Sequence, residues 1–411
     1  MSSETPKPSA LSGIRVLDLS RILAGPSCTQ LLGDFGADVI KVERPVHGDD
    51  TRKWGPPYLQ DTHGEALPES AYYLSVNRNK RSVTIDIGQA EGQALIRKLL
   101  KNTDVLIENY KVGDMQKFGL SYDCLKDEFP QLVYCSITGF GQDGPYARRA
   151  GYDFMIQAMG GIMSVTGPEN DVPFKVGVGI ADLMCGMYAC NAIQAALLYR
   201  QRSGKGQYID CALFDTQLAW LANTGMNYIT SGEPAERYGN GHPNIVPYDT
   251  YLCEDQHIAL AIGNDAQFAR FCEFAGASEL ASDPRFSRND QRVAHRDVLT
   301  EHVTSLMACK PLQTWLDGLM ALGVPCGPVN TVEQAFSDPQ AIHREMRISM
   351  PHPDAADKQV DLIANPVRFS ETPVSYRHHP PSLGEQRDKV LEDVLGLDPT
   401  EIQRLEAKGI I

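Results

Sequence analysis

The 411-residue sequence is short of positive charge. Its 38 lysines and arginines stand against 52 aspartates and glutamates, and the formal net charge at pH 7 is −14. This balance argues against a dedicated binder of nucleic acid or of anionic membranes. We therefore expect neither as a partner, and an anionic ligand would have to bind at a local basic patch.

The spacing of a metal or disulfide site is also missing. The ten cysteines contain no C-x-x-C pair, and several lie in apolar runs. That distribution is typical of reduced, buried thiols in an intracellular protein. Cys185 is predicted to be a core residue rather than a nucleophile. His47, Asp49 and Asp50 lack metal-ligand spacing, so no metal site is predicted.

Targeting and dinucleotide signals are absent as well. Residues 1–12 are polar, without an apolar signal core or an arginine-rich presequence, and no segment reaches the uncharged length of a membrane span. We expect a cytoplasmic protein, or a mitochondrial matrix protein if the source is eukaryotic and a presequence is missing from this chain. The turn at 25–27 lacks the G-x-G-x-x-G fingerprint, which disfavours a nicotinamide dehydrogenase.

What the sequence does have is an alternation of β-type runs and helical stretches. Strand–helix–strand units imply a parallel sheet, so the pattern predicts a Rossmann-like, doubly wound α/β domain. The strands are predicted at 14–19, 38–43, 82–87, 104–108, 132–137 and 208–214, and the helices at 28–35, 90–100, 122–129, 154–163 and 182–199.

The pattern changes after a glycine- and proline-rich loop at 231–247. Residues 250–262 alternate like a hairpin and residues 266–322 are mostly helical, which predicts a smaller α+β domain. The end of the chain is proline-rich at 351–381 and helical at 385–408. We predict the N-terminal part of the large domain at 1–225, the small domain with its linker at 226–330, and a segment at 331–411 that returns to the large domain.

Asp182 is the only carboxylate in a long apolar stretch at 176–189. An unpaired charge is costly to desolvate in such a setting. The residues that follow predict a helix, so Asp182 would lie near its N-terminus, where backbone N–H groups favour an anion. Two interpretations stay open from this stretch alone, a plain helix cap and a functional carboxylate.

Several cations also lie near predicted strands. Residues 75–82 pack three cations and two amides just before a strand, while Arg44 and Lys111 follow the ends of two others. Open α/β sheets bind ligands at the carboxyl ends of their strands, so these cations are candidates to hold phosphates. The alternative for residues 75–82 is a solvated turn.

Two loops of the second half are further candidates. Residues 263–267 follow an apolar strand and predict either a turn with a helix cap or a mobile lid. His242, in the loop at 239–243, is either a site residue or an ordinary loop residue.

Seven segments carry a resemblance to a known family: 13–19, 24–26, 36–45, 77–82, 108–110, 136–141 and the Asp182 helix. On these, from Leu11 to the C-terminus, the chain resembles the class III CoA-transferases. The segments 48–57, 72–80, 149–153 and 166–170 resemble most the branch that moves CoA from succinyl-CoA to glutarate.

The resemblance implies a role for particular residues. Asp182 would be the catalytic nucleophile, and an acyl-CoA and a carboxylic acid would be the substrates, with no tightly bound cofactor. The residues implied in CoA binding are Arg44, Asn79, Lys80, Arg81, Asn109 and Tyr110. Gly263 and Gln267 belong to the implied lid. The candidates to bind the second carboxylate of a dicarboxylic acid are Arg52, Arg149 and His242.

The family also implies an interlocked homodimer and a reaction through an aspartyl anhydride and an aspartyl-CoA thioester. Its α-methylacyl-CoA racemases pair the aspartate with a histidine in a Gly-His-Asp motif, which here is Gly151-Tyr152-Asp153, so a racemase is the alternative. Leu23 replaces the glutamine of formyl-CoA transferases, and the lid has only one glycine. A non-catalytic acyl-CoA-binding protein is a further alternative.

Overall fold

The computed structural model describes residues 9–411, and its chain divides into two compact units. The first comprises residues 9–160, 177–220 and 339–411, and the second comprises 161–176 and 221–338. Residues 1–8, which make up most of the segment in which no targeting signal is predicted, lie outside the described residues.

Thirteen strands and eighteen α-helices are found in residues 9–411. The strands are β1 (Arg15–Asp18), β2 (Asp38–Glu43), β3 (Tyr58–Gln60), β4 (Ala66–Ser70), β5 (Lys80–Thr84), β6 (Val105–Glu108), β7 (Val133–Thr138), β8 (Tyr208–Ala212), β9 (Tyr248–Leu252), β10 (His257–Ala261), β11 (Cys326–Pro328), β12 (Arg347–Pro351) and β13 (Gln359–Ile363). The helices are α1 (Ala24–Asp34), α2 (Ala71–Ser75), α3 (Ala90–Leu100), α4 (Asp114–Lys117), α5 (Tyr122–Leu125), α6 (Asp153–Met159), α7 (Ile180–Ser203), α8 (Leu213–Ala219), α9 (Ala222–Ser231), α10 (Asp265–Ala275), α11 (Ser278–Ser282), α12 (Asn289–Ala294), α13 (Arg296–Met307), α14 (Leu312–Ala321), α15 (Val332–Ser337), α16 (Pro339–His343), α17 (Arg387–Leu395) and α18 (Pro399–Ala407).

The first unit is built on a six-stranded sheet in the order β5-β2-β1-β6-β7-β8. All five pairings are parallel. When these six strands are renumbered from 1 to 6 in chain order, they have the 3-2-1-4-5-6 order of a doubly wound Rossmann-type sheet. The order reverses between β1 and β6, and such sheets bind ligands at the carboxyl ends of the strands on either side of that point.

Two hydrophobic clusters cover the two faces of this sheet. Neighbouring residues of β1 point to opposite faces, so Val16 packs with α1 and α7 while Leu17 packs with α3, α17 and α18. Helices α1 and α7 approach closely because Gly186 has no side chain. A Cβ atom there would lie 2.2 Å from Ser27 Oγ. The N-terminal ends of two helices are thereby fixed against the sheet.

Helix α7 is long and apolar enough to cross a membrane by length and composition, with a mean hydropathy of 1.2 in its most apolar 18-residue window. Half of that window is buried inside the protein, where the helix packs against α1, β7 and β8. We interpret α7 as the core helix of the α/β unit.

The second unit has an antiparallel sheet in the order β11-β10-β9 and a group of helices from α10 to α14. Trp315 is fully buried among them and packs on Phe271 and Phe274. The predicted hairpin and the helical region are both confirmed by these elements. The predicted loop also agrees, since no helix or strand is found between Ser231 and Tyr248.

In the first unit the predicted strands and helices are confirmed, most of them with shifted ends, while the short helices α2, α4 and α8 were not predicted. The strand predicted at 82–87 begins at Lys80, so the basic residues lie partly inside β5 rather than in a turn before it. Two antiparallel hairpins, β3-β4 and β12-β13, were not predicted. The second hairpin begins just before the segment 351–381, which was predicted only as proline-rich. Pro351 is the one proline among its paired residues, so the other prolines do not interrupt the pairing.

Candidate functional site

A cavity of about 150 Å³ lies at the point where the strand order reverses. Its walls come from the residues that follow three strands of the sheet and from the start of α7. The lining segments are 21–24 after β1, 109–112 after β6, 137–139 at the end of β7, and 147–152, together with Asp182 and Leu213. This is where the topology predicts a ligand.

A larger cleft, of about 590 Å³, lies at the opposite end of the strands, where β1, β2, β6 and β7 begin. Its charged walls are neutralised within the protein, because Arg15 pairs with Asp38 at 2.8 Å and Arg200 pairs with Asp104 at 2.8 Å. The chemistry favours the smaller cavity, which contains a carboxylate that has no hydrogen-bond or ion-pair partner among residues 9–411.

That carboxylate is Asp182, in the first turn of α7. The helix begins after Gly179, which offers no side-chain cap. Asp153 supplies the cap instead, since its Oδ1 accepts hydrogen bonds from the backbone N–H groups of Ala181 at 2.8 Å and Asp182 at 3.4 Å. The interpretation of Asp182 as a plain helix cap is therefore wrong. Within residues 9–411 its carboxylate has no hydrogen-bond or ion-pair partner.

The environment of Asp182 shifts its proton affinity. Burial, and then the negative charge of Asp153, raise the pKa of Asp182 to about 7. Desolvation and a like charge both disfavour the ionised form of a carboxyl group. Asp182 is thus poised between its two protonation states near neutral pH, a property that is common among catalytic carboxyl groups.

Two arginines stand at the carboxyl ends of neighbouring strands. Arg21 follows β1 and Arg44 follows β2, and both bind Asp50, at 2.6 Å and 2.8 Å. Their side chains are 33% and 46% exposed, so both guanidinium groups remain accessible to a ligand. Lys111, after β6, is exposed at the wall of the cavity. The site thus carries the local positive charge that the acidic chain lacks overall.

Asn109 and Tyr110 follow β6 and line the same cavity. Both ends of the Asn109 amide are occupied, since Nδ2 donates to the Arg21 carbonyl at 2.7 Å and Oδ1 accepts from the Arg21 N–H at 2.9 Å. Tyr110 lies beside the Arg21 guanidinium, 5.8 Å from the ring centroid.

The sequence profile of CoA-transferase family III matches residues 11–387. The chain belongs to this family. It is 45% identical over 390 residues to the succinate–glutarate CoA-transferase of Agrobacterium fabrum, which covers 95% of this chain and 97% of that protein. It is 39% identical over 401 residues to the human succinyl-CoA:glutarate CoA-transferase, with 98% and 90% covered. The crystal structure of a CAIB/BAIF family protein from Brucella suis matches with a TM-score of 0.82 at 46% identity, covering 94% of this chain and 100% of that chain.

The protein is therefore an enzyme of the CoA-transferase type, as the sequence predicted. These relatives do not favour the racemase alternative. The crystal structure agrees with a mixed α/β fold around a parallel six-stranded sheet.

The structure does not bring the whole implied CoA site of this family together. Asn79 and Lys80 are 1% and 0% exposed. The Lys80 ammonium donates to Asn77 and to the Pro26 carbonyl at 2.9 Å each and lies 3.3 Å from Asp18. Neither side chain can contact a ligand without rearrangement. Arg81 is directed to Asp38 at 2.7 Å, at the amino end of β2, away from the cavity.

Of the three candidates for a second carboxylate, the structure places only Arg149 in the wall of the cavity. Its guanidinium lies 4.6 Å from the Tyr146 ring centroid and 5.7 Å from that of Phe140. Arg52 is 3% exposed and binds Glu43 and Glu69, so it is an interior residue.

The remaining predicted residues belong to the second unit. Asn264 caps α10, and the Gly263 N–H donates to Gln267 Oε1 at 2.8 Å, so residues 263–267 form the predicted turn and cap. His242 Nδ1 accepts a hydrogen bond from the Asn244 N–H at 3.0 Å. Burial and the nearby Arg296 lower the pKa of His242.

Cys185 is a core residue, as predicted, with its Sγ 3.5 Å from that of Cys211. In the part of the chain that the structure describes, no group of three or more His, Cys, Asp or Glu residues is arranged to hold a metal. Asp49, which was not predicted to bind a metal, is paired with the Lys41 ammonium at 2.9 Å.

Sequence reasoning missed three residues of the cavity wall: Arg21, Ile22 and Arg148. Arg21 could have been found, because it follows a predicted strand as Arg44 does. Asp153 was noted only as the last residue of the Gly151-Tyr152-Asp153 motif. Its role as the cap of α7 could not be predicted, since only the fold brings the start of α6 against the start of α7.

Proposed function

We propose that this enzyme moves CoA from succinyl-CoA to glutarate or a similar dicarboxylic acid, with Asp182 as the nucleophile. The observation that carries the proposal is the Asp182 carboxylate, which has no partner in the described part of the chain and lies in a cavity at the strand-reversal point. The substrates follow from the names of the relatives, two of which are succinate–glutarate and succinyl-CoA:glutarate CoA-transferases.

The chemistry begins with attack of the Asp182 carboxylate on the acyl carbonyl of the donor thioester. The C–S bond breaks, the CoA thiolate leaves, and an acyl–aspartyl anhydride forms, which keeps the acyl group activated. The thiolate then attacks the aspartyl carbonyl and releases succinate, so that CoA is held as an aspartyl thioester. The acceptor carboxylate attacks this thioester, and the thiolate captures the new acyl group and regenerates Asp182.

Each step passes through an oxyanion that needs hydrogen-bond donors. The backbone N–H groups of Ala181 and Asp182 are engaged by Asp153, so they are poor candidates. The N-terminus of α1 has no side-chain cap, and Leu23 and Ala24 line the cavity there. We assign the oxyanion to the N–H groups of Leu23 and Ala24 at the start of α1.

For the CoA part we propose that Arg44 and Arg21 bind phosphate, with Lys111 and Tyr110 beside them. Arginine forks suit phosphate oxygens, and both guanidinium groups are accessible. Arg149 is our candidate for the second carboxylate of the acceptor. Asn79, Lys80, Arg81 and Arg52 have no place in this assignment because of their burial or their partners.

An anhydride must be shielded from water, which gives the loop 263–267 its proposed role as a lid.

We also propose a homodimer. Its support is the face of α7 that carries Met187, Tyr188, Leu198 and Tyr199, which are 49%, 44%, 59% and 45% exposed. Large exposed apolar side chains on one face of a helix suit an interaction surface. The ten free cysteines support a cytoplasmic location.

The test is mass spectrometry of CoA thioesters after incubation with succinyl-CoA and a panel of carboxylic acids, using the wild type, Asp182→Asn and Asp182→Ala. We expect the wild type to form glutaryl-CoA. The variants should lose on the order of 10⁴-fold or more in rate, as enzymes do when a covalent nucleophile is removed.

Asp182→Asn is the matched control, because it keeps the shape of the side chain and removes the carboxylate. CoA binding by both variants would show that the site is intact. Exchange by Asp182→Asn at the wild-type rate would contradict the assignment. No exchange by the wild type, with deuterium incorporation at the α-carbon of an acyl-CoA, would revive the racemase.

A further inference from the structure

The chain takes a strained path between β1 and α1. Ile22, which lines the cavity, has a φ angle of +74°. A β-branched residue seldom adopts this left-handed conformation, since its Cβ atom clashes with the backbone. Such strain persists only where surrounding groups determine the backbone, and it concentrates at functional sites.

Three side chains hold the backbone of residues 20–22. The Ile22 N–H donates to both carboxylate oxygens of Asp49, at 3.2 Å and 3.3 Å. Lys41 donates to the Ser20 carbonyl at 3.0 Å and to Asp49 at 2.9 Å. Asn109 bonds both the N–H and the carbonyl of Arg21. We call Lys41, Asp49 and Asn109 the clamp.

The ion pair within the clamp is fully buried, since the side chains of Lys41 and Asp49 are both 0% exposed. A buried ion pair is weak evidence for stability, because desolvation offsets most of the attraction. A role in fixing one backbone conformation accounts better for its place beneath the cavity. Asn109 follows β6 and Lys41 lies in β2, so the clamp ties the turn to strands on both sides of β1.

We propose that Lys41, Asp49 and Asn109 are positioning residues that hold the strained Ile22 turn and thereby fix Arg21, Leu23 and Ala24 in the wall of the acyl-CoA site. This rests on the proposed function only in naming the ligand. Release of the strain would change the direction of the chain between β1 and α1 and would move those wall residues. Displacement of about 1 Å at an active site can cost roughly 10²-fold in rate.

The test is a rescue experiment. Lys41→Met with Asp49→Asn removes both charges together, so no lone charge is buried, and the asparagine keeps an acceptor for Thr51. We expect kcat/KM to fall roughly 10- to 100-fold while circular dichroism shows a folded protein. Adding Ile22→Gly should restore kcat/KM to within about threefold of wild type, because glycine adopts this conformation without strain.

Ile22→Ala is the matched control, since it removes nearly the same side chain but keeps the strain. It should not rescue the double variant. A double variant with wild-type kcat/KM, or equal rescue by glycine and alanine, would overturn the proposal. If the double variant does not fold, Asn109→Ser with and without Ile22→Gly gives the same comparison at a half-buried position.

Equilibrium binding of free CoA to the same variants keeps the proposal separate from the proposed function. Should the wild type fail to exchange succinyl-CoA with glutarate, the clamp still predicts weaker CoA binding in the double variant, by about tenfold, and its recovery with glycine but not alanine. If all of these variants bound CoA as tightly as the wild type, the proposed role of the clamp would be wrong, even if the exchange reaction is found.

Discussion

Two basic regions of the first unit contain the same residue types and have different physical roles. Residues 78–80 are buried and Arg81 is 15% exposed in its pair with Asp38. Arg21 and Arg44 also bind an aspartate, Asp50, but are 33% and 46% exposed beside the cavity. The difference follows from strand position. The first group lies at the amino end of β5, and the second lies at the carboxyl ends of β1 and β2.

The buried group, residues 78–81, binds the C-terminal segment 363–378. Arg78 donates to the Ile363 carbonyl at 2.7 Å, and Asn79 donates to the carbonyls of Ser375 and, through its backbone, His378. Asn79 also accepts from the Arg377 N–H. A basic run in the sequence is therefore equally consistent with binding a segment of the same chain and with binding phosphate. The burial of the side chains decides between the two.

The largest effect on stability is expected from Arg78→Ala. Arg78 binds both oxygens of Asp34, at 2.9 Å and 2.6 Å, and the two side chains are 4% and 0% exposed. Removing one partner of a buried pair leaves an uncompensated charge, and we expect a loss of about 3–5 kcal/mol in the free energy of unfolding. Urea denaturation measures it. A variant as stable as the wild type would contradict the structural role of Arg78.

Arg44→Ala is the matched substitution beside the cavity, at the carboxyl end of β2. Its pair with Asp50 is half exposed, so the free energy of unfolding should change by less than about 1 kcal/mol. A charge-assisted hydrogen bond to phosphate is worth about 1.5–3 kcal/mol, so the dissociation constant of CoA should rise about tenfold or more. Calorimetric titration with CoA checks this. A variant that loses stability but keeps its affinity for CoA would reverse the two roles.

Local sequence patterns predicted the sheet and the place of Asp182 well, because apolar periodicity is a property of neighbouring residues. The strand at 38–43 and the helix at 90–100 have the predicted bounds. The partners of each polar residue could not be predicted in this way. Asp34 meets Arg78 and Asn365, and Asp153 meets Ala181, only after the chain has folded over long separations.

The rate of CoA transfer should depend on pH. Asp182 attacks as a carboxylate, so the rate should fall as pH drops through the pKa of about 7, where the carboxyl becomes protonated. Asp153→Asn removes the like charge and keeps an oxygen that can cap α7. The acid limb of the kcat/KM profile should therefore move to lower pH. An unmoved limb would show that burial alone sets this pKa.

The same shift has a consequence for stability. The pKa of Asp182 is raised in the folded protein, from an ordinary value of 3.8, so the folded state binds the proton more tightly. Its favourable contribution is present below about pH 4 and is lost as pH rises towards 7. Asp182→Asn should accordingly be more stable than the wild type at pH 8, with the advantage vanishing near pH 4.

The smallest effect on activity is expected from Cys185→Ala. Cys185 lies one helical turn after Asp182 on α7, yet it is fully buried against Cys211, and this contact and burial raise the pKa of its thiol. A buried thiol that stays protonated is a poor nucleophile. We expect kcat within about twofold of wild type and a loss of about 1 kcal/mol in stability. Iodoacetamide should leave Cys185 unmodified in the native enzyme, because its thiol is buried in the core. Asp182, one helical turn before it, lines the cavity. Loss of transfer activity in a folded Cys185→Ala enzyme would instead place the thiol in the chemistry.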